Sequence, residues 1–402
     1  MNRREWLAGS AAALAAVTPL RRALAEGAAV HPALALGTKE EAVFDALPGK
    51  QKLIKLSYRP PNYESPLSAF RTPITANDQF FVRYHLSQIP TMADLADWKL
   101  TVDGDAAGKP LSLTLDDLKK LPQSEVTAVC QCSGNRRGMA SPHVAGVQWG
   151  PGAMGCASWT GPKLADVLAL AGVKANAIEV AFRGADNALI EATPAFAKSI
   201  PVSRALDPNT IVATGMNGVP LPIWNGYPAR IVVPGWTATY WMKHIARISV
   251  SSQKLDNFWM KTAYRVPTGL FPGSDFPSQD NATNRPITDI VLNSLATSHA
   301  DGDTVRGAGF TLSGFAWDNG TGIARMEFSI NDGATWGVAM MGISDGPFAF
   351  QTWSTQLAAS PGPLTVLIRA VSKSGAVQPD KASSNPAGYH HNAVQRLSLV
   401  AV

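Results

Sequence analysis

The stretch YRVPTGLFPGSDFPSQDNATNRP, residues 264–286, divides the chain. It is dense in Pro, Gly, Ser and Asn, which favour turns and interrupt regular structure, so it reads as a boundary between two units. On its C-terminal side come GFTLSGFAW (309–317), ARMEFSI (324–330), ATWGVAMM (334–341) and LTVLIRAV (364–371). These short runs have the β-branched and aromatic character of strands, are separated by Asn-Gly and Asn-Asp-Gly turns, and carry no helical periodicity. A β-sandwich of immunoglobulin-like character is expected there, without the paired cysteines of antibody domains.

On its N-terminal side the pattern is mixed. QFFVRYHLSQIP (79–90) and WKLTVDG (98–104) read as strands, as do AIEVAFRG (177–184) and ARIVVPG (229–235). SLTLDDLKKLP (112–122) offers Thr114 as an N-cap for a short amphipathic helix closed by Pro122, and KLADVLALAGV (163–173) has helical spacing. Residues 29–75 are Pro-rich and predict an extended arm packed on this first unit. The fold class is therefore α+β, with boundaries at 1–28, 29–275 and 276–402.

The chain of 402 residues exceeds what one hydrophobic core usually serves, which supports two domains. Only 16% of residues are charged, while 34 Gly and 29 Pro point to many turns. Residues 1–28 contain Arg3-Arg4, a short Leu- and Ala-rich stretch and small residues at Ala23-Leu24-Ala25, the layout of a twin-arginine export signal. The apolar run is interrupted by Pro19 and Arg21-Arg22 and is shorter than the roughly 20 residues a bilayer requires, so no membrane span is predicted. Periplasmic export of a protein already folded around a cofactor is the expectation. The segment holds four Arg and two Glu, so its removal takes the net charge from +5 to +3, which gives no reason to expect nucleic acid.

Three cysteines in an exported chain leave at least one thiol unpaired, and Cys130 and Cys132 are too close for an easy disulfide. Cys132 opens the run CSGNRR, where cationic neighbours favour thiolate over thiol. A buried, inert cysteine is the alternative. No second Cys pair or His pair nearby completes a zinc site, and no Cys-x-x-Cys-His attaches haem to this chain. A metal on one thiolate would need its remaining ligands from a cofactor.

FVRYHL (81–86), CSGNRR (132–137), GVQWGPGAMGCASWTG (146–161) and GYPARIVVPGWTATYWMKHI (226–245) resemble, in order, the signatures of the sulfite oxidase family of molybdenum enzymes. The similarity is greatest to the molybdopterin subunit of bacterial periplasmic sulfite dehydrogenases. It implies a mixed α+β molybdopterin-binding domain, followed by a β-sandwich that dimerises. It makes Cys132 the single protein thiolate on molybdenum, whose other ligands are one pterin dithiolene and oxo groups. It places Arg83 and Arg137 in an anion pocket walled by Trp149, with Tyr264 beside the substrate oxygen. Phe81, Val82, Arg83, Tyr84 and His85 would lie along the cofactor, together with Asp186, Asn225, Arg230, Trp241, Met242 and Lys243. Cys130 and Cys156 are then structural.

Three departures accompany the resemblance: Tyr84 and Asn225 stand where vertebrate members carry Asn and His, and the third is near the C-terminus. In NPAGYHHNAVQRL (385–397), Ala387 occupies the place of a further pocket arginine. The implied activity is oxidation of sulfite to sulfate, with electrons passed singly to a c-type cytochrome, because this chain carries no haem motif. A periplasmic methionine sulfoxide reductase and a non-enzymatic exported β-sandwich binding protein are the competing readings. Two arginines speak against a neutral sulfoxide, and molybdenum content separates an enzyme from a scaffold.

Overall fold

The computed structural model describes residues 29–30, 41–268, 278–280 and 282–402. The twin-arginine stretch, and the part of the dividing stretch at 269–277, lie outside the described residues.

The arm is more ordered than its composition predicts. Strands Phe44–Asp45, Leu53–Ser57, Asn62–Glu64 and Val82–Arg83 form one antiparallel sheet in chain order, so the arm pairs directly with the first motif. Of QFFVRYHL only Val82–Arg83 is regular strand. Adjacent Phe80 and Phe81 stack with ring centroids 5.5 Å apart and bury in one core, whereas Val82 and Tyr84 bury in another. Two neighbouring side chains sent to the same core break the alternation that a longer strand needs.

The centre of the first unit is a five-stranded sheet. Its order is Ala197–Pro201, Glu179–Gly184, Ile245–Ser251, Leu100–Asp103, Leu111–Leu113. Its one parallel pairing joins Leu100–Asp103 to Ile245–Ser251 and so closes the unit across some 150 residues of chain. Beside it, strands Gln123–Gln131 and Met154–Pro162 run antiparallel over nine residue pairs. Helix Leu115–Lys120 begins where the sequence predicts, with Thr114 and Asp117 exchanging the two bonds of a capping box. Helix Leu164–Ala171 buries Leu164, Val167, Leu168 and Ala171, the apolar stripe of its 3.6-residue period.

The second unit has eight strands in the order Asn293–Ala296, Phe310–Trp317, Gln351–Leu357, Gly337–Ser344, Ile323–Ser329, Gly362–Ser372, Gln395–Ala401, Thr304–Val305. The two halves of this order fold over one core: Leu312, Ala316 and Trp353 from one face Met326, Val366 and Leu397 from the other, which makes a β-sandwich. A further apolar cluster joins the units. Phe70, Val129, Met154 and Cys156 pack with Leu295, Phe315, Trp317 and Phe350, and Trp317 Nε1 donates to Gln131 Oε1 at 2.5 Å. Strand Gln123–Gln131, which leads into Cys132, is thus held from both sides.

Candidate active site

Strand Gln123–Gln131 ends at the wall of a cavity, and the next residue, Cys132, is fixed there by its N–H, which donates to Ala153 O at 2.9 Å. From the arm side, Arg83 reaches the same cavity. Its guanidinium donates to Tyr84 O and, at 3.3 Å, to Tyr264 Oη. The Tyr264 hydroxyl also contacts His85 Nε2. Tyr264 has φ +58°, an uncommon conformation for a bulky residue and one found where surrounding structure enforces a functional placement. Its ring stacks on Tyr389 from the sandwich side, with centroids 5.4 Å apart at 17°.

The opposite wall comes from residues 225–243. Arg230 donates to Asn225 O (3.0 Å) and Trp241 O (3.1 Å), and its guanidinium lies over Trp159 and Trp241. Lys243 donates to Arg83 O and sits 3.8 Å from the centre of the Tyr84 ring, so it ties the two walls together. Gly226, at φ +115°, lets the backbone turn there, and a Cβ would crowd Lys243 at 3.2 Å. Behind this wall Tyr84 Oη meets His244 Nε2 at 2.7 Å, and His244 Nδ1 bonds Tyr227 O at 2.6 Å.

The electrostatics are one-sided. Burial, helped by Arg230, pulls the Lys243 pKa down to about 7. Burial also lowers Arg230 and takes His85 well below its usual range, with Arg83 adding to the latter. Burial pulls Arg83 down too, but Tyr264 and Cys132 beside it outweigh this and its pKa is raised. Burial raises the Tyr264 phenol against the opposing pull of Arg83. Among the described residues the only carboxylic acid on the cavity wall is Asp186, which burial raises and Lys243 pulls back.

Such uncompensated cations are costly unless an anionic occupant completes them. Three buried polar atoms of lining residues also lack any partner: Ser133 Oγ, Thr239 Oγ1 and Arg230 Nε. A flat, polyfunctional anion with hydrogen-bonding edges fits this donor set, as a phosphorylated pterin does. Among the described residues no group of three or more His, Cys, Asp or Glu side chains could hold a metal by itself. A metal at Cys132 would therefore take its other ligands from the bound cofactor.

Most of the residues singled out from the sequence converge. Phe81, Arg83, Tyr84, His85, Cys132, Asp186, Asn225, Arg230, Trp241, Met242, Lys243 and Tyr264 all line this one cavity. Three do not. Val82 points into the core shared by Leu53, Tyr63 and the arm. Trp149 is fully buried behind the wall, edge-on to Phe81 with centroids 6.4 Å apart.

Arg137 does not line the cavity. Its Nε donates to Ala387 O at 2.6 Å, its Nη1 donates to Val147 O at 3.0 Å, and its guanidinium covers the Tyr389 ring. Gly134 makes this seat possible, since a Cβ there would stand 2.5 Å from Arg137 Nη2. Arg137 thus lies behind the Tyr264–Tyr389 stack, and Ala387, at the place of the absent arginine, contributes a carbonyl that holds it.

Sequence reasoning missed Ser133 and Thr239, although both lie inside the quoted motifs. It also set aside Cys130, whose Sγ lies in the cavity wall 3.8 Å from Arg230 Nη2, with its thiol pKa raised by burial. Phe196 stacks on His85 at 3.7 Å but belongs to no motif, so only the fold could find it.

A cation-lined cavity with Cys130 and Cys132 in its wall, carried on an α+β unit joined to a β-sandwich, fits the molybdopterin-binding class of proteins. Residues 86–259 match the oxidoreductase molybdopterin binding domain, and residues 284–401 match the Mo-co oxidoreductase dimerisation domain. The chain is 35% identical over 362 residues to mitochondrial sulfite oxidase of Rattus norvegicus, covering 86% of this chain and 65% of that protein. It is 34% identical over 345 residues to sulfite oxidase of Gallus gallus, covering 81% and 73%. The sulfane dehydrogenase SoxCD of Paracoccus pantotrophus superposes with a TM-score of 0.72 at 26% identity, covering 85% of each chain. The chain belongs to the sulfite oxidase family, and its cofactor is molybdenum-molybdopterin. It spans 65% of the length of the rat relative.

Proposed function

We propose that this protein oxidises sulfite to sulfate, SO3²⁻ + H2O → SO4²⁻ + 2H⁺ + 2e⁻, and passes the electrons singly to a c-type cytochrome. The observation that carries the reading is the convergence of Cys132, Arg83 and Tyr264 with Arg230 and Lys243 in the wall of one cation-lined cavity. When bound, the molybdenum-pterin group supplies the two-electron redox chemistry and the oxygen-transfer centre.

Cys132 would hold the metal, since its backbone is anchored at the end of a strand fixed by both units. Arg230, Lys243, Asn225 and Asp186 would hold the pterin and its phosphate, with Phe81, Tyr84, Trp241 and Met242 packing along it. Arg83 would grip a sulfite oxygen by a charge-assisted hydrogen bond. Tyr264, bonded to both Arg83 and His85, is placed to donate a proton or hydrogen bond at the substrate oxygen, and the lowered pKa keeps His85 neutral as its partner. Arg137 acts as a positioning residue, holding Tyr389 under Tyr264, while Trp149 backs Phe81.

Among the described residues Arg83 lines the cavity beside Cys132, whereas Arg137 is tied to the carbonyls of Ala387 and Val147 and acts on the Tyr264 hydroxyl only through its charge. That favours, as a second reading, a less highly charged sulfur substrate such as the sulfane sulfur named for SoxCD. We further propose export to the periplasm through the segment 1–28, and a homodimer formed through the sandwich, on which Val338, Met340 and Ile343 are exposed along one strand.

Sulfite-dependent reduction of cytochrome c by metal-replete protein tests the reaction, and sedimentation at micromolar concentration tests the dimer. Full molybdenum content without sulfite turnover, but with turnover of a sulfane-sulfur donor, would replace the first reading with the second.

A further inference from the structure

The buried cations Lys50, Lys198 and Arg230 and the partly buried Arg83 and Lys243 lie in or around the cofactor cavity and the aromatic residues that back it: Lys50 donates to Asn225 Oδ1, and Lys198 lies over the Tyr264 ring. Arg136 shares their electrostatic signature and lies elsewhere. It is 2% exposed and, among the described residues, has no ion pair. One guanidinium nitrogen, Nη2, donates to Ser294 O of the sandwich strand Asn293–Ala296 at 2.5 Å, while Nε is buried with no partner. Burial alone pulls its pKa down to about 10, so no charged neighbour offsets the desolvation. The backbone of Arg136, at φ +67°, sends this side chain toward the sandwich while Arg137 turns toward Tyr389.

His391 faces the same place. Its Nδ1 is buried and unpartnered, and its carbonyl is held by Asn293 Nδ2 at 3.2 Å. Arg136 and His391 both line a pocket of about 70 Å³ at the seam between the two units, which Leu67, Pro151 and Leu295 also line. Two further charges border it, and both are already engaged. Arg396 pairs with Asp332 at 2.8 Å, and Asp301 accepts from Ser398 N at 2.7 Å. A buried guanidinium without a counter-charge and a buried imidazole nitrogen without a partner are each unfavourable, and one occupant removes both penalties. That volume is several times what one water needs, so the space has room for a halide or a tetrahedral oxyanion.

We infer that Arg136 and His391 form a binding site for a small inorganic anion, separate from the cofactor cavity, that locks the loop after Cys132 onto the β-sandwich. The inference does not depend on which substrate the enzyme oxidises.

Bromide is the probe. Crystals of the holoenzyme grown in sodium bromide should show an anomalous peak within hydrogen-bonding reach of the Arg136 guanidinium and the His391 ring. In solution, exchanging gluconate, a bulky and weakly binding anion, for bromide at constant ionic strength should raise the unfolding temperature along a saturable curve. His391→Leu should weaken the apparent bromide affinity about tenfold, the usual worth of one charge-assisted contact. Arg136→Met should remove both the peak and the response. If Arg136→Met does not fold, His391→Leu decides alone. Arg83→Gln should keep the bromide response, which separates this site from anion binding at the substrate end. Water density without an anomalous peak, or an unchanged bromide response in His391→Leu, would overturn the inference.

Discussion

Lys243 offers the sharpest quantitative test of the cofactor cradle. Burial and Arg230 bring its pKa in the apoprotein to about 7, against 10.5 for a free side chain. Below pH 7 the ammonium is already charged and the phosphate of the cofactor meets a cation. Above pH 7 the amine is neutral, so binding a phosphate there requires uptake of one proton, at 1.36 kcal/mol for each pH unit. Affinity for the cofactor should therefore fall as pH rises, about tenfold per unit and about a hundredfold between pH 7 and 9. Arginine stays charged throughout this range, so Lys243→Arg should remove the Lys243 part of that dependence, and Lys243→Met should show the same reduced slope at weaker affinity.

Lys50, which donates to Asn225 Oδ1 and is also held near 7 by burial, contributes equally to parent and variant. The difference between the two profiles therefore isolates Lys243. The assay is equilibrium binding of purified molybdopterin to apoprotein by fluorescence, with bound molybdenum measured by mass spectrometry. A Lys243→Arg profile parallel to that of the parent would refute the reasoning.

Cys132→Ser should fold, lose bound molybdenum and lose turnover, because a neutral hydroxyl replaces a thiolate. Cys130→Ser should keep the metal, since that sulfur touches Arg230, and metal analysis of both variants checks this. Arg83→Gln removes a charge-assisted contact worth about 1.5–3 kcal/mol, a 10- to 100-fold loss in kcat/KM for sulfite with molybdenum content intact. Unchanged kinetics would exclude it from the substrate end. Gly134→Ala should cost about 1–3 kcal/mol in denaturant unfolding, because the new Cβ would stand 2.5 Å from Arg137 Nη2 and force a guanidinium tied to two carbonyls to move. Equal stability of variant and parent would mean that the seat relaxes freely.

Much of this architecture is legible in the linear chain because it depends on neighbours in sequence. Turn residues between short strands define the sandwich, Thr114 and Asp117 are three apart as a capping box requires, and Cys132 lies inside the continuous motif CSGNRR. The cations of the cradle are likewise inside continuous motifs, so Arg83, Arg230 and Lys243 could be named before any coordinates.

What local sequence does not carry is direction. Arg136 and Arg137 are adjacent and chemically alike, yet one turns to Ser294 and the other to Ala387, 158 and 250 residues away. That choice rests on a left-handed backbone at Arg136 and on Gly134, Gly146 and Gly388, which leave room for only one guanidinium. The Tyr264–Tyr389 stack likewise needs the sandwich docked against the first unit. Only the tertiary structure decides which cations face the cavity, because a long side chain takes the direction in which distant segments supply acceptors and space.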